Sequence, residues 1–327
     1  MLSREIIEKT EVFLKRKFDA ADYLNAHPEA KELKMEYKTI PCEEDDEELI
    51  EEKLDAIDRS ILPSKEDGEE ELVFKIADDE GNIIAGCVLE IDCWRNAELD
   101  ILWVDESHRR NGLGSALIRI AEKTAREYGC RMMVLGTFDF QARPLYEKHG
   151  FSLCGTIKNW PRGHENYTLV KRLDQPLKEY YPSTDCSAGF RIEPGTVEDG
   201  NYICKGLGDY NTSQAARAHK YISLDKKIVD EDGNMIAAVI AGVGTWNDLD
   251  IDMIWVDEPY RNKGIGSRLL AEVEKEGKEN GAYFSAINVF DWEASLFKKH
   301  GYSACVTIED FPGEGHRTYE LEKRFSE

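Results

Sequence analysis

A long internal repeat is the feature that most restricts the fold of this 327-residue chain. The segment WVDESHRRNGLGSAL, at Trp103–Leu117, returns as WVDEPYRNKGIGSRL at Trp255–Leu269, 152 residues later. DDEGNIIAG and DEDGNMIAA keep this offset, and LYEKHGF and LFKKHGY differ from it by one residue. Two copies of about 140 residues indicate two domains, because solenoids contain shorter and more numerous repeats. The pattern therefore predicts a duplicated domain.

The limits of the two copies divide the chain into four segments. We expect an N-terminal helical extension at 1–35, a first domain at 36–174, a linker at 175–189 and a second domain at 190–327. The extension has apolar residues at helical spacing and no counterpart in the second half. The linker is recognised by its prolines and serines.

Each copy has the pattern of an α/β domain with a mixed sheet. DEGN marks a hairpin turn between two apolar strands, and the segment after the glycine-containing loop has the spacing of an amphipathic helix that ends at Gly129. In the first copy the expected order is a strand at 37–40, a helix at 47–60, strands at 73–77, 83–92 and 98–104, a helix at 113–128, a strand at 131–137, a short helix at 144–148 and a final hairpin ending at 173.

Composition excludes several classes of partner. A net charge of −23 and a pI of about 4.8 argue against a nucleic-acid-binding protein, which normally has a basic face. No apolar run is long enough to cross a bilayer, and the N-terminus lacks the apolar block of a signal peptide. The eight cysteines form no C-x-x-C pair, so we expect neither a metal site nor a disulfide framework. These features predict a cytoplasmic protein without nucleic-acid or membrane partners.

The repeated loop has the composition of an anion site. Gly112 and Gly114 lie between an apolar strand and a helix, where a ligand can approach the backbone and the helix N-terminus offers unpaired N–H groups. The loop lacks the G-x-x-x-x-G-K-[ST] of a P-loop and the third glycine of a dinucleotide fingerprint. By itself, G-x-G is also compatible with a tight turn.

A second motif makes the loop more specific. R-x-x-G-x-G at Arg109–Gly114 is followed some 30 residues later by A-x-x-L-Y-x-x-x-G-F at Ala142–Phe151. This combination resembles the GNAT superfamily of acetyl-CoA-dependent N-acetyltransferases. The resemblance extends over both copies and implies two tandem GNAT-like domains that use acetyl-CoA.

The resemblance also implies which residues contact the cofactor. The end of the fourth strand would hold the pantetheine arm and the loop would hold the pyrophosphate, with Asp139 at the position where the family has asparagine. In the first copy these residues are Leu102, Trp103, Val104, Arg109, Arg110, Asn111, Gly112, Leu113, Gly114 and Ser115; in the second they are Ile254, Trp255, Val256, Arg261, Asn262, Lys263, Gly264, Ile265, Gly266 and Ser267. In the second copy, the counterparts of Asp139 and Ala142 are expected at Phe290 and Glu293.

Acetyl transfer to an amine needs a proton acceptor and a proton donor. Glu98, eleven residues before Arg109, has the spacing of the base in histone-acetylating members of the family, and Asp250 corresponds to it in the second copy. Strand alternation places Glu98, Asp100 and Leu102 on one face, so Asp100 is a rival base, and a solvated strand face is the alternative for both.

Tyr146 matches the family's acid tyrosine, with the packing of a short helix as its alternative role. Phe297 replaces it in the second copy and cannot donate a proton. The first copy is therefore the expected catalytic domain.

The sequence thus predicts an N-acetyltransferase that acts on a primary amine of a small-molecule or peptide acceptor, which no motif identifies. A non-catalytic acyl-CoA-binding sensor is the alternative. The acceptor side would be formed by the first helix, which the acidic run CEEDDEELIEEKLD precedes and fills, and by the final hairpin. This acidic run is either a docking surface for a cationic acceptor or the ordinary capping of a helix start. His164 and His316, near each hairpin, would line the acceptor cleft or belong to turns. A monomer in which the second domain replaces a dimer partner is one expected assembly.

Overall fold

The fold comes from a computed structural model that describes residues 38–43, 45–64, 68–174 and 190–325. The predicted N-terminal helix and the whole of the predicted linker lie outside these residues. The described strands form two mixed sheets, one of eight strands and one of seven, which confirms the α/β class. No helix in the described segments is both long and apolar enough to cross a membrane.

The elements follow the predicted order in each half. In the first half they are β1 (Lys38–Pro41), α1 (Asp46–Ile61), β2 (Glu70–Ala77), β3 (Ile83–Ile91), β4 (Ala97–Val104), α2 (Leu113–Glu127), β5 (Met132–Phe138), α3 (Arg143–Lys148), β6 (Ser152–Lys158) and β7 (Glu165–Arg172). In the second half they are β8 (Ile192–Pro194), α4 (Val197–Gln214), β9 (Ile222–Ser223), β10 (Lys226–Val229), β11 (Met235–Val243), β12 (Asp248–Val256), α5 (Ile265–Glu279), β13 (Phe284–Phe290), α6 (Ser295–Lys299), β14 (Ser303–Glu309) and β15 (Arg317–Arg324).

The two halves exchange their first strands. β1 pairs antiparallel with β10 of the second half, and β8 pairs antiparallel with β2 of the first half. The sheet orders are β6-β7-β5-β4-β3-β2-β8 and β1-β10-β11-β12-β13-β15-β14. The residue limits expected for the domains remain a prediction, but the sheets are not built from contiguous segments. The expectation that the strand at 37–40 belongs with the first domain's sheet is therefore wrong.

The first helices are exchanged together with the strands. In α1, Ile50 is fully buried against Ala238, Ile240 and Trp255 of the second half. In α4, Ile203 is fully buried in a cluster with Val73, Val88 and Ile101 of the first half. Burying such a side chain contributes roughly 1.5–3 kcal/mol, so each half stabilises the other.

Two equivalent ion pairs hold the exchanged helices. Lys75 on β2 binds Asp199 in the first turn of α4 at 2.7 Å, and Lys227 on β10 binds Asp46 in the first turn of α1 at 2.7 Å. The lysines are 152 residues apart and the aspartates 153, so the two contacts are the same contact made twice. A carboxylate in the first turn of a helix also complements the helix dipole.

The opposite face of each sheet carries the main core. α2 places Leu113, Leu117 and Ala121 on the first sheet, and α5 places Ile265, Leu269 and Val273 on the second. Each sheet therefore lies between the helix that follows its own glycine-containing loop and a helix supplied by the other half.

The halves also meet at their C-terminal hairpins. Met132 and Val134 are buried with Val306 and Ile308, and the Cys154 thiol donates to the Thr307 carbonyl at 2.8 Å. Near this contact, the Thr168 hydroxyl donates to the Glu320 carboxylate at 3.2 Å. Thr168 and Glu320 are repeat counterparts, so they mark the local pseudo-twofold axis.

Candidate active site

The centre of each sheet opens where two parallel strands separate. β4 and β5 pair only at Ala97–Met133 and Glu98–Val134, although both strands continue for several residues. β12 and β13 pair at three positions that end at Asp250–Ala286. Beyond these pairs, no described strand covers that edge of β4 or β12. The backbone groups there are free to bind an extended ligand as an added strand would.

A β-bulge in β4 sorts its side chains between the two faces. Leu89 on β3 faces both Leu99 and Asp100, one residue more than a regular ladder allows. Glu98, before the bulge, and Asp100, within it, lie on the face on which α4 packs. After the bulge, Leu102 packs into the core under α2, whereas Trp103 faces α4. The expectation that Leu102 shares a face with both carboxylates is therefore wrong, because the bulge shifts the alternation.

The face under α4 carries three cross-strand rows. Glu71, Glu90 and Glu98 form the first row, Val73, Val88 and Ile101 the second, and Lys75, Gly86 and Trp103 the third. Glu71, Glu90, Glu98 and Asp100 are all exposed, so the first row is an open acidic surface beside the point where β4 and β5 separate.

Glu98 is the carboxylate with the most perturbed pKa in this row. Its side chain reaches solvent, yet protein atoms surround much of it, and the loss of hydration raises its pKa to about 7. Asp100, Glu90, Glu320 and Asp92 add to the shift, in that order. Burial also raises the pKa of Asp100, with a further contribution from Glu71. Because its pKa is about 7, the Glu98 carboxyl changes its charge near neutral pH.

The second half keeps only part of this row. Ser223, Gly242 and Asp250 occupy the positions of Glu71, Glu90 and Glu98. Burial, then Asp252, Asp248 and Glu320, raise the pKa of Asp250 to about 7 as well. The two sites therefore share one carboxyl of similar pKa and differ in the charge around it.

Tyr221 lies over the second site and was not predicted. A Cβ on Gly242 would be 2.1 Å from the Tyr221 hydroxyl, so the ring occupies the space of the missing side chain. Burial, then Asp252, Asp225 and Asp250, raise the pKa of this half-exposed phenol. An isolated glycine within a strand is the sequence signal of such a close approach.

The glycine-containing loop has the same backbone in both halves. Gly112 and Gly264 start α2 and α5 with φ of 84° and 83°, and Arg110 and Asn262 have φ of 65° and 60°. No side chain caps either helix. Left-handed residues before an uncapped helix leave N–H groups that can bind anions.

The side chains of the loop differ in their exposure to solvent. Arg110 and Asn111 are exposed, as are Asn262 and Lys263, whereas Leu113 and Ile265 are buried and have only backbone groups available to a ligand. A Cβ on Gly114 would be 3.2 Å from Leu145, and one on Gly266 would be 3.5 Å from Leu296. These second glycines permit close packing of the helix on α3 or α6.

The arginines and serines of the loop have protein partners. Arg109 Nε donates to the Val104 carbonyl at 3.1 Å, and Arg261 Nε donates to the Val256 carbonyl at 2.9 Å. The guanidinium of Arg109 also lies 4.5 Å from the centre of the Tyr210 ring on α4. These contacts fix the end of the strand relative to the loop.

Ser115 and Ser267 link the loop to the later motif. Ser115 Oγ is 3.0 Å from Nε2 of His149, and Ser267 Oγ is 2.8 Å from Nε2 of His300. Burial is the main cause that lowers the pKa of both histidines, which favours the neutral imidazole. The HG of KHGF and KHGY is therefore part of the support of the loop.

Tyr146 is part of the buried core of the first half. Its side chain is 7% exposed and packs edge-on against Phe151, with ring centres 6.1 Å apart. Burial raises its pKa, and the Cys87 thiol adds to the shift. Cys87 pairs in register with Leu102, so the phenol lies near the strand end that is expected to bind the pantetheine arm. Phe297 is 1% exposed and has no such hydroxyl.

Asp139 has a different partner from the expected cofactor. Its Oδ1 is 2.9 Å from Nδ1 of His164, and in the second half Asp291 is 3.4 Å from His316. Asp291 rather than Phe290 is therefore the counterpart of Asp139. Gln141 and Glu293 are also equivalent, because each accepts a hydrogen bond from the backbone N–H three residues earlier, at 2.8 and 2.9 Å.

The predicted counterparts Phe290 and Glu293 were misaligned by one residue. The second half lacks a residue next to Pro144, so the offset changes inside the motif. The second half therefore keeps an aspartate at the position of Asp139, and both halves contain an Asp–His pair that was not predicted.

The acidic helix α1 belongs mainly to the second site. After burial, its Glu47 is the main cause that raises the pKa of Asp252, and it adds a smaller contribution to the raised pKa of Tyr221. The expectation that the acidic run borders the first site is corrected by the exchange, which leaves α4 in that position. The glycines of α4, which are unusual inside a helix, were the sequence signal of its close packing.

Comparison with known proteins agrees with this geometry. The Acetyltransferase (GNAT) family model matches residues 29–151 and 200–302, which together exceed half of the chain. The chain belongs to the GNAT acetyltransferase family. This GNAT protein is an acyltransferase with two copies of the family domain, and its family uses acetyl-CoA.

Individual relatives resemble parts of the chain. Blasticidin-S acetyltransferase of Streptomyces morookaense is 40% identical over 96 residues, or 29% of this chain and 70% of the relative. An acetyltransferase of Agrobacterium fabrum is 29% identical over 109 residues, or 33% and 78%. A crystal structure of a Bacillus cereus acetyltransferase, 34% identical, covers 41% of this chain and 96% of its own, with a TM-score of 0.39.

Proposed function

We propose that the first half transfers an acetyl group from acetyl-CoA directly to a primary amine of a cationic acceptor. The observation that carries this proposal is the position of Glu98, whose pKa is about 7, at the point where β4 and β5 separate. A general base works best when its pKa is near the operating pH.

The residues present fit acetyl-CoA. The free edge of β4 at 102–104 is suited to the amide groups of the pantetheine arm, and the N–H groups from Gly112 to Ser115 are suited to the pyrophosphate. The bound cofactor would supply an activated acetyl thioester. In the second half, 254–256 and the loop from Arg261 to Ser267 have the same form, so this half is a second binding site.

The proton transfers are assigned to two residues. Glu98, about half ionised at pH 7, accepts a proton from the acceptor ammonium or from a water between them. Tyr146 remains protonated at neutral pH because burial raises its pKa, and it can donate to the departing sulfur. Asp100, on the same face, is the alternative base.

The charge of the first site supports a cationic acceptor. Glu71, Glu90, Glu98 and Asp100 lie in one exposed group, and the second site replaces two of the row's carboxylates by Ser223 and Gly242. A relative named for blasticidin-S supports a small-molecule acceptor over a peptide. We place acceptor binding together with turnover in the first half, because only there do these carboxylates lie beside a site that also has the tyrosine.

The test compares the two halves with one assay. Thiol release from acetyl-CoA is measured with a panel of amines, including blasticidin-S and di- and tricationic polyamines. Gly112→Trp and Gly264→Trp each block one loop, since tryptophan is strained at a φ near 84° and fills the anion site. Titration calorimetry with acetyl-CoA counts the sites that remain.

We expect Gly112→Trp to abolish turnover and Gly264→Trp to spare it, with one binding site lost in each. The opposite result would place catalysis in the second half. Binding without turnover for any amine would support the acyl-CoA sensor instead.

A further inference from the structure

Helix α4 covers part of the face that carries the candidate base. Its Asp199 binds Lys75 of the third row, and Gly206 lies on Trp103, where an added Cβ would be 2.6 Å from the indole. Ile203 and Leu207 pack on the second row. The helix therefore lies over the second and third rows and leaves the acidic first row open beside it.

The same helix reaches both sides of the opening between β4 and β5. On the β4 side, Tyr210 lies under the guanidinium of Arg109. Beyond β5, the Tyr210 hydroxyl donates to the Phe140 carbonyl at 2.8 Å and Asn211 accepts from Gln141 at 2.7 Å. A helix held at both ends of an opening is a fixed wall.

We propose that α4 of the second repeat forms the acceptor-side wall of the site in the first repeat, so that acceptor selectivity of one repeat is encoded in the other. This inference rests on the proposed function and adds the residues that choose its acceptor. It follows from the strand exchange, which places α1 over the second site and α4 over the first.

Helical geometry identifies the flank that meets the acceptor. At about 100° per residue, Tyr202 and Gly206 lie on one flank of α4, and Gly200, Cys204 and Asn211 lie on the other. Tyr202 contacts Trp103 of the third row edge-on, at 5.9 Å between ring centres, and Gly200 faces Val73 and Val88 of the second row. The flank with Cys204 is therefore turned toward the acidic row.

Cys204 provides a native probe for this wall. Its thiol is exposed, whereas the other described cysteines are buried or half-buried. Alkylation with a bulky maleimide, with modified sites identified by peptide mass spectrometry, adds volume beside the acidic row. We expect the KM for the acceptor to rise about tenfold or more, as for an overfilled pocket, with the Kd for acetyl-CoA unchanged.

A matched control distinguishes an effect on the acceptor-side wall from a general disturbance of α4 by alkylation. Cys204→Ser should resist the reagent, so its KM before and after treatment should be the same, and this KM is the reference. In that background, Lys205→Cys places the thiol one residue away on the outer face of α4, where Lys205 forms an exposed ion pair with Asp209. Alkylation there should leave KM unchanged. Equal effects at both positions, or none at Cys204, would overturn the proposed wall.

The exchange of strands can be tested by disulfide formation, without an activity assay. Lys75 and Glu193 are directly paired across β2 and β8, and Ile40 and Lys227 across β1 and β10, which suits disulfide formation. Lys75→Cys with Glu193→Cys should oxidise readily, and so should Ile40→Cys with Lys227→Cys.

In an unexchanged fold, the bond would instead form between Lys75→Cys and Ile40→Cys. Formation of that bond alone refutes the inference even if the acetyltransferase assay succeeds. Failure of every amine, with the exchanged disulfides formed, refutes the proposed function and leaves the exchange established.

Discussion

The pH dependence of turnover tests Glu98 most directly. With a pKa of about 7, the carboxylate is about 9% ionised at pH 6 and about 91% at pH 8. At saturating acetyl-CoA, kcat/KM for the acceptor should therefore rise about tenfold over this interval because of Glu98. The acceptor ammonium also loses protons as the pH rises, so the rate of Glu98→Gln at each pH serves as the reference.

The ratio of wild-type to Glu98→Gln rates isolates the carboxylate. We expect this ratio to reach roughly 10²–10⁴ at pH 8 and to fall toward low pH with a midpoint near 7. Neighbouring carboxylates raise the pKa of Glu98 in the order Asp100, Glu90, Glu320. Their amide variants should move the midpoint to lower pH, with the largest shift for Asp100→Asn.

Two outcomes would refute this reasoning. A ratio that does not vary with pH would mean that Glu98 acts, if at all, only in binding. If Asp100→Asn removes the pH dependence while Glu98→Gln retains it, the base is Asp100. The same assay, repeated with Asp250→Asn, should show no change, because the second half lacks the tyrosine.

Three further predictions concern individual side chains. Tyr146→Phe should lower kcat by on the order of 10²–10⁴ and leave the Kd for acetyl-CoA nearly unchanged; unchanged turnover would exclude the phenol. Glu90→Gln should raise the KM of a dicationic acceptor more than that of a monocationic one, and added salt should reduce the difference; equal effects would argue against recognition by the acidic row. Glu320→Gln should raise the melting temperature at pH 8 but not at pH 4.5. The folded pKa of Glu320, about 7, lies above its unfolded value, so ionisation lowers stability progressively from pH 4.5 to 7, by at most about 3 kcal/mol. An equal change at both pH values would refute that sign.

Most of the local structure could be predicted because it depends on local patterns. Hydrophobic periodicity and the DEGN turn place strands and helices within a few residues of their observed limits, and the repeat predicts two similar sheets. The loop conformation also follows from sequence, since Gly112 starts the helix with a positive φ. The bulge in β4 has no such signal, and it decides which face Leu102 occupies.

The exchange could not be predicted, because its two alternatives are chemically alike. β1 and β8 lie in the similar segments EYKTIP and GFRIEP, and Lys75 and Lys227 are each paired with an aspartate in the first turn of a helix. No local residue type favours one partner, so the choice depends on how the connections before β2 and β10 run. The duplication therefore predicts the fold of each half, but it does not predict which sheet each half's first strand joins.

The exchange also weakens the repeated loop as evidence that both halves are active. Each half contributes a strand and a helix to the other, so both halves must keep the same framework even if only one is active. The loop starts a core helix, fixes the end of β4 or β12 through Arg109 or Arg261 and binds the later motif through a Ser–His contact. Its presence in both halves thus has a structural cause that is independent of catalysis. The halves differ at Glu71 and Glu90 against Ser223 and Gly242, and at Tyr146 against Phe297. All three positions are ones that we propose for acceptor binding or proton donation. The residues that differ between the halves are therefore better evidence for catalysis than the loop that they share.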